Sequence, residues 1–257
     1  MDPFFVPFQE LADRIHRIRR GKRIYYRPNY GNWGDGLIRA GTLNFFRDYG
    51  IPFREIGDGK ASFLTPALRG GTLIYGGGGA WCSVWPDAPR KIHMLERLKR
   101  FKILVLPSTY EKNWGNTSAV KYRRDNSMSR LSYPETTFCH DMAFYLLKNT
   151  SPDPLGEVDN LYLMREPSER ERAKTARILC STNVDISKKG NHWSAPEGFF
   201  DFLRPGKVIH TDRLHVAIAA CILGKRVKIY PSNYAKIEAV FEASIKPFFS
   251  GASLVNW

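Results

Sequence analysis

The sequence has few cysteines, no long apolar run and none of the common nucleotide-binding or metal-binding motifs. Its four cysteines, Cys82, Cys139, Cys180 and Cys221, lie far apart, so neither a disulfide framework nor a zinc site is predicted and the reducing cytoplasm is the expected compartment. The longest strongly apolar stretch, residues 216–224, is too short to cross a bilayer. The first residues, MDPFFVPFQE, lack the basic and apolar regions of a signal peptide, which favours the same compartment.

Several catalytic signatures are also absent. The sequence contains no G-x-G-x-x-G dinucleotide fingerprint, no G-x-x-x-x-G-K-[ST] phosphate loop, no nucleophile elbow and no kinase signature. No group of residues has the ligand spacing of a metal site, and no internal repeat or low-complexity segment is visible. The sequence therefore gives no indication of dinucleotide binding, of P-loop or kinase chemistry, or of a metal site.

What is present is an ordinary globular composition with an excess of positive charge. The 257 residues suffice for one large α/β domain or two compact ones, and 43% hydrophobic with 13% aromatic residues excludes disorder as the dominant state. Lysine and arginine number 39 and aspartate and glutamate 25, which gives a net charge of +14. This balance favours a nucleic acid, an anionic membrane surface or a phosphorylated substrate as partner, without choosing among them.

Short apolar runs of β type alternate with helical patterns along most of the chain. This alternation predicts an α/β fold with parallel strands and helices on both faces. Strands are predicted at residues 23–26, 52–56, 72–75, 103–106, 137–139, 161–164, 184–186, 208–210 and 227–230. Helices are predicted at residues 87–100, 142–148, 167–179, 196–203, 212–223 and 233–247, besides one that ends near residue 48.

The alternation is interrupted once, at residues 149–159 (NTSPDPLGEVD), where Pro, Ser, Asp and Gly indicate a linker. We therefore expect two successive open α/β domains with a cleft between them, at residues 1–150 and 151–257, the last helix being a candidate to pack back on the first domain. Residues 109–134 fit no element and are expected to form a loop or lid over the cleft.

The first chemical motif is Gly31-Asn-Trp-Gly-Asp35, which follows a predicted strand and opens a helix. Its glycines let the backbone approach a ligand closely, and the helix N-terminus suits an anion. A capped helix, with Asp35 as N-cap and Asn32 holding the turn, explains the same residues. Because a carboxylate at a helix N-terminus stays ionised, Asp35 suits a hydrogen-bond acceptor or a base.

Other polar or glycine-rich segments also follow predicted strands. Four glycines at residues 76–79 each cost about 0.5–1 kcal/mol relative to alanine, which favours a ligand-facing loop at the carboxyl edge of the sheet over a tight turn with close packing. Met164-Arg165-Glu166 and Asp141 lie at similar strand ends. Their plain alternatives are a surface ion pair and a helix N-cap, respectively.

The segment His210-Thr-Asp-Arg-Leu-His215 lies between a predicted strand and an apolar helix. Asp212 or Thr211 is the expected N-cap, which places Arg213 and His215 in the first helical turn. An arginine fork fits a carboxylate or phosphate, and a histidine exchanges protons near neutral pH. The plain alternative is a capped helix with a surface arginine and a partly buried histidine.

Together these segments resemble the polysaccharide pyruvyl transferases. The matching pieces, in order, are G-N-W-G-D at residues 31–35, the glycine run, L-M-R-E at 163–166 and T-D-R-L-H-V-A-I-A-A at 211–220. The resemblance implies a glycosyltransferase-B-like fold, with two Rossmann-like domains facing across a cleft. It implies that pyruvate passes from phosphoenolpyruvate to two hydroxyls of a sugar, as a ketal with release of phosphate, in cell-surface polysaccharide biosynthesis. No cofactor is then expected.

The resemblance also implies a distribution of roles. The first domain would hold the acceptor, a sugar on an anionic nucleotide or lipid diphosphate, and the second would hold phosphoenolpyruvate. His215 is the expected acid that protonates the vinyl carbon, and Asp35 the expected base. The expected substrate-binding residues are Arg213, Arg165, Asn32, Gly31, Gly34, Gly77, Gly78 and Leu214.

Some alternatives stay open at this point. The basic amphipathic stretch at residues 7–20 predicts either a helix on the anionic inner face of the cell membrane or a plain helix packed on the first domain. A sugar-nucleotide glycosyltransferase would share the fold class. A basic RNA-binding module is suggested by the net charge and by aromatics near basic residues at 110–124, but no RRM, KH or OB signature is present, so nucleic acid is not the expected partner.

Overall fold

The computed structural model describes residues 2–19, 22–57, 69–83, 86–166, 183–231 and 236–255. Within these ranges the chain forms two compact units. The first comprises Met1–Asn29 and Thr42–Met142, and the second comprises Tyr30–Gly41 and Ala143–Trp257. The segment that carries the first motif therefore packs with the C-terminal part of the chain. The predicted domain ranges 1–150 and 151–257 had placed this segment in the first domain instead.

The first unit is built on a parallel sheet. Among the described residues its strands are β1 Ile24–Arg27, β2 Arg54–Glu55, β3 Gly71–Tyr75, β4 Gly78–Trp81, β5 Phe101–Tyr110, β6 Val120–Arg123 and β7 Thr137–Phe138. The order across the sheet is β2-β1-β3-β5-β6-β7, and β4 pairs with the end of β5. The helices are α1 Val6–Arg19, α2 Trp33–Asp48, α3 Asp87–Arg97 and α4 Met128–Ser132, and the division between the units falls within α2.

Continuous apolar runs explain why the central strands are buried on both faces. Residues 73–75 and 103–106 are buried without alternation, as parallel strands covered on two sides require. In α1 the buried residues Phe8, Leu11, Ala12 and Ile15 recur at helical spacing. The apolar face of this helix therefore lies in the core of the first unit, which is the plain alternative stated for residues 7–20. Only its charged face remains for contact with an anionic surface.

Residues 109–134 are not simply a loop or lid, because part of the segment belongs to the sheet. The region contains the end of β5, all of β6 and α4. Its pattern was hard to recognise because Lys121 is a charged residue at a buried position. Its amine lies 4.4 Å from the centroid of the Tyr133 ring, and burial lowers its pKa.

The second unit contains a smaller parallel sheet. Its described strands are β8 Val158–Tyr162, β9 Gly206–Thr211, β10 Arg226–Ile229 and β11 Ala252–Leu254, in the order β11-β10-β9-β8. The helices are α5 Pro196–Leu203, α6 Leu214–Ile222 and α7 Lys236–Val240, which continues as a π-helical turn at Phe241–Ile245. Residues 216–223 are all buried, so α6 forms the centre of this core. The α/β class with parallel sheets is thus confirmed.

Several predicted elements differ in detail. Residues 184–186 do not form a strand: Val184 donates one backbone hydrogen bond to Tyr162, at 3.2 Å, and a 3₁₀ helix begins at Ile186. Met142–Lys148 is also a 3₁₀ helix, and β11 was not expected. The predicted helix 167–179 lies outside the described residues. Among the helices that are described, none is long and apolar enough to cross a membrane.

Candidate active site

The candidate site of the second unit is built where β8 and β9 end. The Thr211 hydroxyl donates to the Leu163 carbonyl at 2.8 Å and accepts the Arg213 N–H at 3.0 Å. The buried Asp212 Oδ1 accepts the Arg165 N–H at 2.8 Å. These bonds join the two strand ends and bring the backbones of Arg165 and Arg213 to the same edge of the sheet.

The start of α6 differs from the expectation. Arg213, and not Asp212 or Thr211, is the N-cap residue, with an extended backbone at φ −102° and ψ 119°. The physical reason is that the Thr211 and Asp212 side chains bond to the neighbouring strand end instead. Their role is to position the two arginines.

Arg213 forms a buried ion pair with Asp185. Its Nε donates to Oδ1 at 3.2 Å and a terminal nitrogen donates to Oδ2, and the two side chains are 9% and 1% exposed. Asp185 also accepts the Glu166 N–H at 3.3 Å. A two-bond pair of this kind fixes the guanidinium plane and balances its charge, so an incoming anion meets an arginine that already holds a carboxylate.

Sequence reasoning did not single out Asp185. Its partner lies 28 residues further along the chain, and no motif joins the two positions. The available signal was weak: an acidic residue in the middle of the short predicted strand 184–186.

His215 lies directly against Gly34. A β-carbon added at Gly34 would be 2.3 Å from the His215 Nδ1 and 3.0 Å from the Asn32 Oδ1, distances that no real side chain could occupy. The half-buried imidazole therefore uses the space that glycine leaves open. This contact brings the G-N-W-G-D and D-R-L-H motifs together within one unit.

The first motif forms a reciprocal cap at the start of α2. The helix begins at Trp33, the Asn32 Oδ1 accepts the Gly34 N–H at 2.8 Å, and the Asp35 Oδ2 accepts the Asn32 N–H at 3.0 Å. Asn32 is thus the N-cap and Asp35 the third helical residue, the arrangement of a capping box. The plain alternative of a capped helix had placed the N-cap three positions too late, at Asp35, because the Asp35 carboxylate reaches back to the cap.

Trp33 anchors a loop from the C-terminal part of the chain. Its indole N–H donates to the Ala195 carbonyl at 2.9 Å, and its ring meets Phe199 edge-on at 5.5 Å. A β-carbon at Gly190 would lie 2.6 Å from the Trp33 ring, and one at Gly36 would lie 2.9 Å from the Asn191 carbonyl oxygen. Close packing around the tryptophan thus requires these two glycines.

His192 is a second imidazole beside the motif. Its backbone N–H donates to the Gly31 carbonyl at 3.2 Å, and its Nδ1 accepts the Gly31 N–H at 3.5 Å. The ring is 9% exposed and stands edge-on to Tyr30, with 4.6 Å between centroids. Sequence reasoning missed it because the two residues lie 161 positions apart.

The remaining predicted residues of this unit lie at the rim. The side chains of Arg165 and Leu214 are half-buried. Glu166 is exposed and pairs with Lys188 at 2.9 Å, an exposed ion pair that contributes little stability. His210 bonds to the Tyr230 hydroxyl at 2.8 Å and to the Asn160 Oδ1 at 3.0 Å; burial, followed by the charge of Lys228, lowers its pKa.

The glycine run belongs to the first unit. The Asn29 amide donates to the carbonyls of Gly76 and Gly77, at 3.1 and 2.5 Å. A β-carbon at Gly77 would lie 2.4 Å from the Pro107 carbonyl oxygen. Gly78 begins β4 with φ +117°, a conformation that favours glycine. Gly77 is thus closely packed on the backbone of β5, and the role of Gly77 and Gly78 in substrate binding stays a prediction.

Asp141 also belongs to the first unit. Its carboxylate pairs with the guanidinium of Arg124, and both side chains are buried. Arg124 Nε also donates to the Thr109 hydroxyl at 2.8 Å. This ion pair lies at the carboxyl ends of β6 and β7.

The second unit thus combines guanidinium, imidazole and carboxylate groups within one sheet edge and one helix start. Such a set can bind an anion and move protons. In the part of the chain that the structure describes, no group of three or more His, Cys, Asp or Glu is placed to hold a metal ion. The predicted residues that the unit brings together are Gly31, Asn32, Gly34, Asp35, Arg165, Arg213, Leu214 and His215.

Comparison with known proteins identifies a fold but no family. No protein-family model and no curated protein matches the chain. Among solved structures, the crystal structure of a functionally uncharacterized protein from Klebsiella pneumoniae subsp. pneumoniae is similar, with a TM-score of 0.77, 24% sequence identity and coverage of 100% of both chains. The whole chain therefore has a fold that is known in another protein.

Proposed function

We propose that this protein transfers pyruvate from phosphoenolpyruvate onto two hydroxyls of a sugar, in a nucleotide- or lipid-linked saccharide, and releases phosphate. The observation that carries the proposal is the contact between His215 and Gly34. It unites the two most specific motifs of the resemblance, although 181 residues separate them in the sequence. A proton donor, two arginines and a carboxylate then belong to one structural unit.

The donor would be held by charge. Phosphoenolpyruvate carries a carboxylate and a phosphate, and Arg165 and Arg213 stand at adjacent strand ends to meet them. The N–H groups at the start of α6 add a partial positive charge. Because Asp185 already balances Arg213, the donor either binds the outer edge of the guanidinium or displaces that carboxylate.

The chemistry requires one proton at carbon and one at oxygen. His215 gives a proton to the vinyl methylene, which makes the neighbouring carbon electrophilic, and the first sugar hydroxyl adds there. The carbon–oxygen bond to phosphate then breaks, phosphate leaves with the bonding electrons, and the second hydroxyl closes the ketal. Asp35 accepts a hydroxyl proton, and the second hydroxyl proton restores His215 or leaves with phosphate. No cofactor takes part in this sequence.

The proposal extends to the arrangement and surroundings of the protein. The two units would face each other across a cleft in the manner of glycosyltransferase-B enzymes, with the acceptor on the side of the N-terminal segment that carries Asp35. The net charge of +14 suits an anionic diphosphate-linked acceptor. Synthesis of cell-surface polysaccharide would place the enzyme in the cytoplasm, with peripheral contact at the inner membrane face.

The test is a turnover assay with phosphoenolpyruvate and a panel of nucleotide-linked and lipid-linked sugars. We expect phosphate release that depends on the acceptor, together with a product whose mass has grown by one pyruvate ketal. His215→Ala is the matched control, and it should reduce turnover by roughly 10²–10⁴-fold. Absence of phosphate release with every acceptor, or release of nucleoside diphosphate from sugar nucleotides instead, would overturn the proposal.

A further inference from the structure

Trp193 projects from a loop that is held rigidly. The residue is 43% exposed, yet its N–H donates to the Asn191 Oδ1 at 2.8 Å. The Asn191 N–H donates to the Ser194 hydroxyl at 3.0 Å, and Asn191 pairs with Asn32 in an antiparallel bridge. The indole is therefore presented to solvent from a loop whose backbone is hydrogen-bonded on both sides of the residue.

Arg39 covers part of the Trp193 ring. Its guanidinium carbon lies 4.7 Å from the ring centroid, which is a cation–π distance. The ring of His192, the preceding residue in the sequence, lies next to the Trp193 ring, with 4.8 Å between their centroids. The exposed part of Trp193 thus lies next to a guanidinium that stacks over the indole, within the second unit.

Two other exposed aromatic residues, Phe53 and Phe202, have a different environment. Phe53 is 37% exposed and packs on Phe46 and Tyr26, and Phe202 is 40% exposed and packs on Trp33. Their exposed area is the outer border of aromatic core clusters. Trp193 instead has a guanidinium and an imidazole as neighbours, so its surroundings are polar.

Arg39 lies close along α2 to Asp35, the proposed base. Asp35 and Arg39 both belong to α2 and are four residues apart, which puts them on one face of the helix about one turn apart. A hydroxyl that reaches Asp35 therefore has the rest of its molecule within reach of Arg39 and Trp193.

We propose that Trp193 and Arg39 form a saccharide subsite for the acceptor; this inference rests on the proposed function and specifies where that function takes its sugar. A pyranose ring has an apolar C–H face and a border of hydroxyls. The exposed part of the indole covers the apolar face, and the Arg39 fork donates to ring hydroxyls or to an acidic group on the saccharide. The amphiphilic surface of a sugar thus matches the two kinds of group on this face.

The experiment measures sugar binding without the donor. Saturation-transfer NMR with the methyl glycosides of glucose, galactose, mannose and glucuronic acid would report binding to the wild type, Trp193→Ala, Trp193→Phe and Arg39→Lys. Phe248→Ala is the matched control, since Phe248 is 43% exposed in the same unit. We expect Trp193→Ala to weaken glycoside binding roughly tenfold, Trp193→Phe to weaken it less, and Phe248→Ala to leave it unchanged.

A second measurement separates this inference from the proposed function. In the turnover assay, Trp193→Ala should raise the acceptor KM roughly tenfold and leave the phosphoenolpyruvate KM unchanged. If glycosides bind at Trp193 but phosphoenolpyruvate is never used, the subsite stands and the pyruvyl transferase proposal fails. The subsite is overturned if no glycoside binds the wild type, if Trp193→Ala binds equally well, or if a mononucleotide replaces the glycoside as the ligand that depends on Trp193.

Discussion

At the scale of single residues, the buried pair of Arg213 and Asp185 determines how the site can treat an anion. Its two bonds need the planar guanidinium fork, because a lysine ammonium cannot make both in the same plane. The pair also explains why a cation can remain buried at a strand end before any substrate arrives.

Arg213→Lys should therefore keep the charge and lose the geometry. We expect the free energy of unfolding to fall by roughly 1–3 kcal/mol, because one hydrogen bond to a buried charge is left unmade, and we expect phosphoenolpyruvate use to be lost. Urea denaturation and steady-state kinetics measure the two effects. Arg204→Lys is the control, since Arg204 pairs with Asp153 at 2.9 Å on the surface; equal losses in both variants would contradict a special role for Arg213.

The buried His140 should make the stability of the first unit depend on pH. Burial lowers its pKa from 6.5 to about 4, and its ring stacks on Phe4 at 4.3 Å. Between pH 6.5 and 4, His140 is protonated in the unfolded chain and neutral in the folded chain. The free energy of unfolding should therefore fall as the pH drops through this range, and His140 should not change it at higher pH. The loss amounts to roughly 3 kcal/mol in full.

His140→Phe preserves the stacking and removes the titration. Thermal or urea unfolding between pH 7 and 4 should show a shallower loss of stability in the variant than in the wild type. Identical pH profiles for the two proteins would show that this imidazole does not titrate as expected.

At the scale of elements, the N-terminal turns of α2 and α6 contact each other in the second unit and are capped differently. α2 begins with a capping box of Asn32 and Asp35, whereas α6 has Arg213 as its N-cap residue and no side-chain hydrogen bond from that cap. The contact between the two elements is the imidazole of His215 on Gly34. Glycine is thus tolerated inside the helix because the facing side chain needs its space.

Gly34→Ala tests this contact. In an isolated helix the change would stabilise by about 1 kcal/mol, but here the new β-carbon collides with the imidazole. We expect no gain in melting temperature and a large loss of turnover, although no functional group is removed. In the His215→Ala background the same change should become neutral or stabilising; an additive double-mutant cycle would contradict the contact.

At the scale of the whole molecule, the segment Tyr30–Gly41 packs with residues from the C-terminal half of the chain. Trp33 is the anchor, since it bonds to Ala195 and packs on Phe199. The second unit is therefore assembled from two parts of the chain that are far apart in sequence, and its stability depends on both.

Trp33→Ala should destabilise the second unit by roughly 3–5 kcal/mol, as truncation of a buried aromatic side chain does. Hydrogen exchange should accelerate in Pro196–Leu203 and remain unchanged in Gly71–Tyr75 of the first unit. Trp33→Phe should show a smaller effect, because it keeps part of the packing and loses the bond to Ala195. Equal acceleration in both units would contradict the assignment of this segment.

The sequence alone determined the elements whose signal is local. The apolar run of α6, the Pro-initiated helix at Pro196–Leu203 and the buried strands at 72–75 and 103–106 could be predicted because hydrophobic periodicity and turn residues act over a few positions. The strand β6 could not, since a lysine packed on an aromatic ring interrupts its apolar pattern. Residues 184–186 looked like a strand but form only one backbone bond next to β8.

Only the tertiary structure decided the composition of the site. The partners His215 and Gly34, Arg213 and Asp185, and His192 and Gly31 are brought together by packing between distant segments, and no local pattern records which of them will meet. The predicted N-cap of α6 was wrong for the same reason, because the Thr211 and Asp212 side chains also bond to the neighbouring strand end. Local physics specifies elements, whereas pairwise contacts depend on how those elements pack.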